Sequence, residues 1–359
     1  MMKPENQKIG KFWKWKGEKE RKAAFHTSRL VLSLILSVSV GYADNIEVGT
    51  TSNAVLKIGM GARAAAMGDT FVAVADDVNT IYWNPSGLGQ IERPQFSATH
   101  AEWLADVRYE WIGFAQSLGP RLAIGVDAAL VHTGDIPRTI ELSAGGFEQD
   151  GTFNYNNLII RIAVGSRVYE GVRVGAAFQI DQQEVDFGGT KQPVPQKKVR
   201  GNSINLGIIY EPPIQNLRLG ASLQNIGSQM PAFIDKPSSL PRILRIGGAY
   251  TIDIQPPIQT ATREETPSLQ QLSAQNRLIL AVDFNFPSDR PPNLHAGLEY
   301  LLRNGLALRG GYQSDSDFDF LSHLSGGVGY ATSTYQIDYA FVPFGEVGET
   351  HRVSFTLSF

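Results

Sequence analysis

Three aspartates at alternate positions are the residues whose type and spacing come closest to a cation site: Asp315, Asp317 and Asp319. Carboxylate oxygens are the ligands that Ca²⁺ prefers, and the spacing matches the start of an EF-hand loop. The glycine and the closing glutamate of that motif are missing. We therefore interpret the stretch as a solvated loop and predict no metal site.

Catalytic chemistry has equally little support. The chain has no Cys, which excludes thiolate nucleophiles, thiolate zinc sites and disulfides. Its six His are scattered without metal-ligand spacing, and nothing marks a nucleophile beside its base. The glycines at 59, 61 and 68 lack the strand and the spacing of a dinucleotide-binding loop. The sequence predicts a non-enzymatic protein without a cofactor.

Charge is divided unevenly along the chain. Residues 1–43 contain nine Lys and Arg against three Asp and Glu, whereas the whole chain has a formal net charge of −3. Residues 44–359 are therefore acidic, which argues against nucleic acid as a partner. The basic stretch precedes an uncharged run from Leu30 to Val40 and small residues that end at Ala43. This order is typical of a secretory signal peptide, so we predict a signal over 1–43 and a mature chain that begins at Asp44.

Residues 95–359 alternate between apolar and polar or small side chains, in runs broken by Gly, Pro, Asn and Asp. Period two places each set on one side of a sheet, and runs of about ten residues are typical of a transmembrane barrel. The pattern predicts an all-β fold, an antiparallel barrel of about fourteen strands. Fourteen runs lie near 95–104, 108–118, 121–132, 154–168, 171–185, 199–210, 216–226, 241–253, 275–286, 293–303, 305–313, 321–331, 333–342 and 350–359.

The connections support the same fold. If the chain enters from the periplasm, the loops after odd-numbered runs face outward, and several of them are long. The turns after even-numbered runs are mostly tight. The stretch at 254–274 is the exception, because it makes a long loop on the periplasmic side.

Charged residues on the polar face distinguish a barrel from the alternative, a secreted β-sandwich, which also alternates. Such charges are costly against lipid but can pair in a wet lumen. We predict a lumen-facing set made of Arg173, Arg218, Arg245, Arg277, Asp283, Glu299, Arg309 and Arg352.

The last strand carries a more specific signal. Phe355, Leu357 and Phe359 share one face, and the chain stops at Phe359. This pattern resembles the insertion signal that the barrel assembly machinery recognises. We therefore predict that machinery and outer-membrane lipid as partners, and the outer membrane as the location.

One strand end has residues that oppose regular pairing. Gly134 and Pro137 follow the third run, and Pro137 has no N–H to donate. Simple strand termination explains them, but a break in the wall could also form a lateral gap or a docking groove. We therefore treat Gly134 and Pro137 as a candidate wall break, a point where strand pairing in the barrel wall is interrupted.

Residues 44–94 do not alternate and are rich in small side chains, which suits packing inside a confined space. We predict that they form a hatch inside the barrel. Asn84 before Pro85 favours a turn, and Gly87 then permits a positive φ. Turn chemistry alone explains these residues, with a gating role as the alternative.

The runs GARAAAMGDTFVAVADD (61–77), IYWNPSGL (81–88) and EWLADVRYEWIGFAQ (102–116) resemble the PorV/PorQ family. That family lies within the superfamily of outer-membrane barrels related to FadL, the long-chain fatty-acid transporter. The resemblance implies a fourteen-stranded barrel with an internal hatch, in which Ser86 replaces the commoner Ala. It assigns a hatch motif made of Asp76, Asp77, Trp83, Asn84, Pro85, Gly87 and Leu88.

Two functions follow from the resemblance. A PorV-like protein would be a non-enzymatic component of type IX secretion that binds secreted cargo proteins or the translocon. A FadL-like protein would be a passive conduit for a hydrophobic ligand. The hatch motif favours the first, and the sequence leaves the second open.

Overall fold

The computed structural model describes residues 51–143, 145–191, 194, 197–231, 237–254, 276–314 and 320–359. The predicted signal peptide, nearly all of the 254–274 loop and Asp315, Asp317 and Asp319 lie outside the described residues. Within the described ranges, no helix combines the length and apolar character needed to cross a membrane.

Antiparallel strands form the body of the molecule, because residues that alternate in polarity can bury one face and expose the other. They are β1 (Gln95–Glu102), β2 (Arg108–Ser117), β3 (Leu122–His132), β4 (Ile136–Glu141), β5 (Phe147–Tyr169), β6 (Val172–Gly188), β7 (Lys197–Tyr210), β8 (Leu217–Gly227), β9 (Ile243–Asp253), β10 (Arg277–Pro287), β11 (Asn293–Leu301), β12 (Leu306–Gln313), β13 (Leu324–Ala331), β14 (Tyr335–Pro343) and β15 (Glu349–Ser358).

The sheet closes on itself. Strand β1 pairs with both β2 and β15, each later strand from β5 onward pairs with the next, and β3 pairs with β5. Fourteen strands therefore form a closed barrel, as predicted, and β4 lies outside the ring against β5. The sequence missed β4 and the first seven residues of β5, because it assigned 133–153 to a loop.

The two faces of the wall differ as the alternation predicts. Outward side chains such as Ile162, Phe284 and Ile337 are exposed, whereas inward neighbours such as Asp283 and Asp338 are buried. The strands meet short turns at one end, here called the turn end, where β5 joins β6 and β13 joins β14. The opposite end, the loop end, carries β4 and most of the longer connections.

The hatch, residues 51–94 of the described chain, fills the lumen. It contains a 3-10 helix (Ala54–Lys57), α1 (Ala62–Ala66), α2 (Thr80–Trp83) and a second 3-10 helix (Pro85–Gln90). Helix α1 contacts β12–β15, and the second 3-10 helix contacts β2, β3 and β5–β7. The hatch therefore bridges opposite parts of the wall. Short 3-10 helices also lie in the connections at Leu104–Asp106, Phe320–His323 and Gly345–Val347.

Candidate functional site

Wall glycines give the hatch room to lie directly against the strands. Gly175 on β6 is in register with Gly165 on β5 and with Gly207 on β7. A β-carbon at Gly165 would lie 2.6 Å from the Pro85 carbonyl oxygen and from the Leu88 side chain. Only glycine permits this approach of wall to hatch backbone.

The Asn-Pro turn is fixed to this wall by Asn84. Its Nδ2 donates to the Val72 carbonyl at 2.8 Å and to the Ile208 carbonyl on β7 at 3.2 Å. Its Oδ1 accepts from the Ser86 hydroxyl at 2.6 Å, so the serine at this position adds a bond that alanine could not make. Asn84 is extended at φ −162°, and Pro85 begins the following 3-10 helix.

The predicted reason for glycine at position 87, a positive φ, is wrong. Gly87 is not among the residues with positive φ. A β-carbon there would instead collide with the Ala75 carbonyl oxygen and the Thr80 hydroxyl. Glycine is therefore required because two hatch segments approach closely, not because of a left-handed turn. Leu88 beside it is fully buried.

A chain of buried ion pairs crosses the lumen from hatch to wall. On α1, the Arg63 guanidinium donates from Nε and Nη2 to the two Glu299 oxygens on β11, both at 2.8 Å. Glu299 also accepts from Arg309 Nε on β12 at 2.6 Å. Arg309 Nη1 continues to Asp338 Oδ1 on β14 at 2.8 Å. Charges that would be costly alone are thus paired at every step.

The two hatch aspartates complete this network. Arg63 Nη1 lies 2.5 Å from Asp76 and 3.1 Å from Asp77, and Arg218 on β8 lies 3.7 Å from Asp76. Burial raises the pKa of Asp77, and Arg63 opposes that rise while Asp76 adds to it. The pKa of Arg63 is raised well above its ordinary value, because the attraction of Asp76 and Glu299 outweighs the effect of burial. Arg63 is therefore a fixed positive charge at the centre of the hatch.

A second contact region surrounds Trp83. Its Nε1 donates to the Met60 carbonyl at 2.9 Å, and the Arg245 guanidinium lies 5.0 Å from its ring. Arg161 on β5 lies 5.1 Å from the Tyr82 ring and pairs with Asp127 on β3 at 3.0 Å. Cation–π contacts and ion pairs together hold α2 in the lumen.

The predicted lumen set divides between the interior and the rim. Arg245, Asp283, Glu299, Arg309 and Arg352 are buried inside, and Asp283 accepts hydrogen bonds from the Phe71 and Val72 amides at 2.9 and 3.0 Å. Arg173 is buried against Glu211, and Arg218 is partly buried.

Arg277 differs from the rest of the set. Its side chain is 48% exposed at the turn end, 3.7 Å from Asp253. Arg277 is the first residue of β10. Its position in the strand is an inward one, but at this end of the strand it lies at the mouth of the barrel and not in the interior.

Among the ion-paired interior residues described above, the sequence did not single out Arg63, Asp127, Arg161 or Asp338. The three wall residues occupy inward positions in their strands, and period two could have found them. Arg63 has no such signal, since the hatch does not alternate.

At the candidate wall break, β5 changes its pairing partner. Its pairing with β3 ends where Asn156 faces His132, and its pairing with β4 begins where Phe153 faces Ile136. Between these pairs the Thr133 N–H donates to the Tyr155 carbonyl at 3.0 Å. Gly134 lies between the two strands, and Pro137 pairs with Thr152 inside β4. The chain advances four residues from His132 to Ile136, whereas the facing segment of β5 advances three from Asn156 to Phe153. The irregularity therefore has the form of a one-residue β-bulge.

The predicted insertion residues lie on β15 and after it. Phe355 is outward and exposed, and Leu357 is partly exposed. Phe359 is exposed, and its N–H donates to the Pro94 carbonyl at 3.0 Å.

A cavity of about 460 Å³ lies at the loop end, above the hatch; we call it the vestibule. Its wall includes apolar side chains of Trp103, Val107, Ile243, Val342 and Phe344, and its floor is the hatch segment 54–59 with Asp69. Polar residues also reach it: Arg245, Asn285 and Arg352. The volume lies within the range of small-molecule sites.

Polar atoms at the vestibule lack protein partners. Arg245 Nε, Arg352 Nε, Asn285 Oδ1 and Asp69 Oδ1 are buried with no hydrogen-bond partner among the described residues. Buried polar groups are normally satisfied. These atoms are enclosed by their neighbours, so a ligand would meet them only after the lining side chains shift. The arginine nitrogens would then donate, and Asn285 and Asp69 would accept.

An ion pair beside the vestibule also links the hatch to the connection after β10. Lys57 Nζ donates to Asp289 Oδ2 at 2.7 Å, and the Thr51 hydroxyl donates to the same oxygen at 2.6 Å. Burial would raise the pKa of Asp289, but the Lys57 and Thr51 hydrogen bonds outweigh burial and hold it below its ordinary value. Among the described residues, no group of three His, Asp or Glu has the arrangement of a metal site.

The chain matches the model of the uncharacterised protein family UPF0164 over residues 37–230, more than half of its length. The chain belongs to UPF0164. No curated relative matches this UPF0164 member in sequence. Membership of PorV/PorQ stays a prediction.

Solved structures with the same fold include three hydrocarbon-transporting barrels. The Ralstonia pickettii toluene transporter TbuX is 16% identical, with a TM-score of 0.53 over 84% of this chain and 97% of that one. The monoaromatic hydrocarbon channel CymD is 14% identical, with a TM-score of 0.54 over 84% and 98%. The Pseudomonas putida toluene transporter TodX is 13% identical, with a TM-score of 0.52 over 84% and 97%. At these identities the likeness shows a shared fold.

Proposed function

We propose that this protein is a passive outer-membrane conduit for small hydrophobic molecules that carry one polar group, and that such molecules enter at the vestibule. The observation that supports this most directly is a cavity lined by both apolar and polar side chains, in which polar atoms of Asp69, Arg245, Asn285 and Arg352 have no protein partner. An apolar body would contact Trp103 and Phe344, and a polar end would reach Arg352 and Asn285.

Three further observations support the membrane and transport parts of the proposal. The exposed face of the barrel is rich in apolar side chains, as lipid contact requires. The charged residues are concentrated in the lumen, where they pair. Structural neighbours of the same fold are described as transporters or channels for toluene and other monoaromatic hydrocarbons.

Passage requires the hatch to move, because residues from Met60 to Leu88 are largely buried within the lumen. The chemistry needed is release of hydrogen bonds and ion pairs, with no covalent step. The secretion role predicted by resemblance to PorV gains no support from the neighbours, and it stays a prediction.

The proposal is tested by measuring influx of a fluorescent hydrophobic probe into proteoliposomes or cells that contain assembled barrel. Phe344→Asp places a charge on the vestibule wall and should lower influx several-fold. Phe147→Asp is the matched control, because Phe147 is 78% exposed on the β4–β5 hairpin, away from the vestibule. Equal influx through the Phe344→Asp variant and the wild type would contradict the entry route.

A second variant tests the polar lining of the vestibule. Asn285→Leu removes an acceptor whose Oδ1 has no protein partner, so it should leave assembly intact. Influx of a hydroxyl-bearing probe should fall relative to influx of the parent hydrocarbon. An unchanged ratio would exclude Asn285 from the polar subsite.

A further inference from the structure

Ionisable side chains occur on the outer face of the barrel where β1 meets β2. His100 Nδ1 and Glu110 Oε1 are 2.7 Å apart, and both side chains are nearly half exposed. Their neighbours on the same rung are apolar and exposed: Val353 lies opposite His100, and Leu130 lies opposite Glu110. The pair thus lies level with side chains of the apolar belt. Ionisable residues in such surroundings are costly unless they have a partner.

A hollow in the wall lies beside this pair. Ala98, Ile112 and Ala128 face each other across three strands, and the two alanines leave space on either side of Ile112. The hollow has a volume of about 450 Å³, and Leu158, Val353 and Phe355 also line it. Its lining is mostly apolar, and it ends at His100 and Glu110. Within the membrane, the molecules that reach this face are lipids.

The charges above the hollow indicate the head group. Glu110 is held by His100, and one rung further towards the loop end Glu102 lies opposite Arg108. Two carboxylates would attract an ammonium group, and Arg108 would attract a phosphate. A zwitterionic head with a primary amine complements both signs. A quaternary amine could not donate the hydrogen bond to Glu110, and an anionic head without an amine would meet two like charges.

We propose that this hollow binds one aminophospholipid of the surrounding membrane, with an acyl chain against Ala98 and Ala128, the amine on Glu110 and the phosphate towards Arg108. The site lies on the outer face of the wall and is independent of the vestibule. Its failure would leave the proposed conduit function untouched.

The test is native mass spectrometry of the detergent-solubilised barrel with equal amounts of phosphatidylethanolamine, phosphatidylcholine and phosphatidylglycerol. The wild type should retain phosphatidylethanolamine at least about threefold over each of the others. Glu110→Gln keeps a hydrogen-bonding side chain beside His100, so it should assemble, yet it should lose that preference. The matched control is Glu148→Gln on the β4–β5 hairpin, whose partner is Lys191.

A second variant tests the hollow itself. Ala98→Leu with Ala128→Leu fills the space and should abolish the retained lipid, whereas Ala296→Leu at a partly exposed site on β11 should not. The shift of the unheated band on a gel verifies assembly of each variant. Equal retention of the three lipids by the wild type, or an unchanged preference in Glu110→Gln, would overturn the proposal.

Discussion

Arg63→Met should release the hatch from the wall without dismantling the barrel. Arg63 is the hatch residue that meets Glu299 with two hydrogen bonds and also contacts Asp76 and Asp77. Methionine keeps an apolar stem in the same space but leaves these carboxylates without the central cation. The strands keep their hydrogen-bond ladders, so the substitution should weaken the attachment of the hatch to the wall and leave the pairing of the strands unchanged.

The magnitude follows from the remaining partners. Removing one member of a buried ion pair typically costs about 3–5 kcal/mol. Glu299 still has Arg309 at 2.6 Å, and Asp76 still has Arg218 at 3.7 Å, so the lower bound applies. About 3 kcal/mol corresponds to roughly a 100-fold rise in the population with a released hatch, at about 1.4 kcal/mol per factor of ten.

The absence of native Cys makes this population measurable. A single Ala64→Cys reporter lies on α1, where Ala64 is 1% exposed, and a maleimide reaches it only when the hatch opens. When opening and reclosing are fast, the labelling rate follows the open population. The rate should therefore rise about 100-fold in Arg63→Met and by less in Arg63→Lys, which keeps the charge.

Arg138→Met is the control, since Arg138 pairs with Asp150 on the β4–β5 hairpin, outside the lumen. Its labelling rate should equal that of the reporter alone. A rate for Arg63→Met within threefold of the reporter alone, in barrel that still shifts on heating, would show that this network does not hold the hatch.

Three further outcomes are expected. Gly165→Val should reduce the amount of assembled barrel or expose the hatch to protease, because a β-carbon there would lie 2.6 Å from the hatch backbone. Gly134→Val is the control and should match the wild type, because the space around Gly134 is open. Protease protection of the hatch checks both variants. Deleting Phe359 should lower the amount of assembled barrel with little effect on synthesis, and equal heat-shifted bands on gels would contradict this. Asp289→Asn should lower the free energy of unfolding at neutral pH. The pKa of Asp289 is lowered in the folded protein, so the Lys57 contact stabilises the fold above the ordinary pKa of 3.8 and is lost as the pH falls through the folded pKa. Denaturation curves of variant and wild type should therefore converge in acid, and a constant gap between them would exclude the titration of Asp289.

The strands were predictable because their signal is local. A strand turns successive side chains to opposite faces, so alternation from Leu278 to Phe286 reveals β10 and the inward position of Asp283 without knowledge of any partner. The same rule found Glu299, Arg309 and Arg352. It failed for β4, because Gly134 and Pro137 favour a loop locally, while pairing with the extended end of β5 overrides that preference.

The barrel class, the number of wall strands and most of the polar inner face follow from the pattern of residues along the chain. The groups that this inner face contacts depend on the tertiary structure. Arg63 and Glu299 are 236 residues apart, and Gly165, Gly175 and Gly207 come together only because three strands are in register. Period two records which way a side chain points, but the opposite partner depends on closure of the ring and on the path of the hatch within it. Those are long-range properties, which no local pattern of residues encodes.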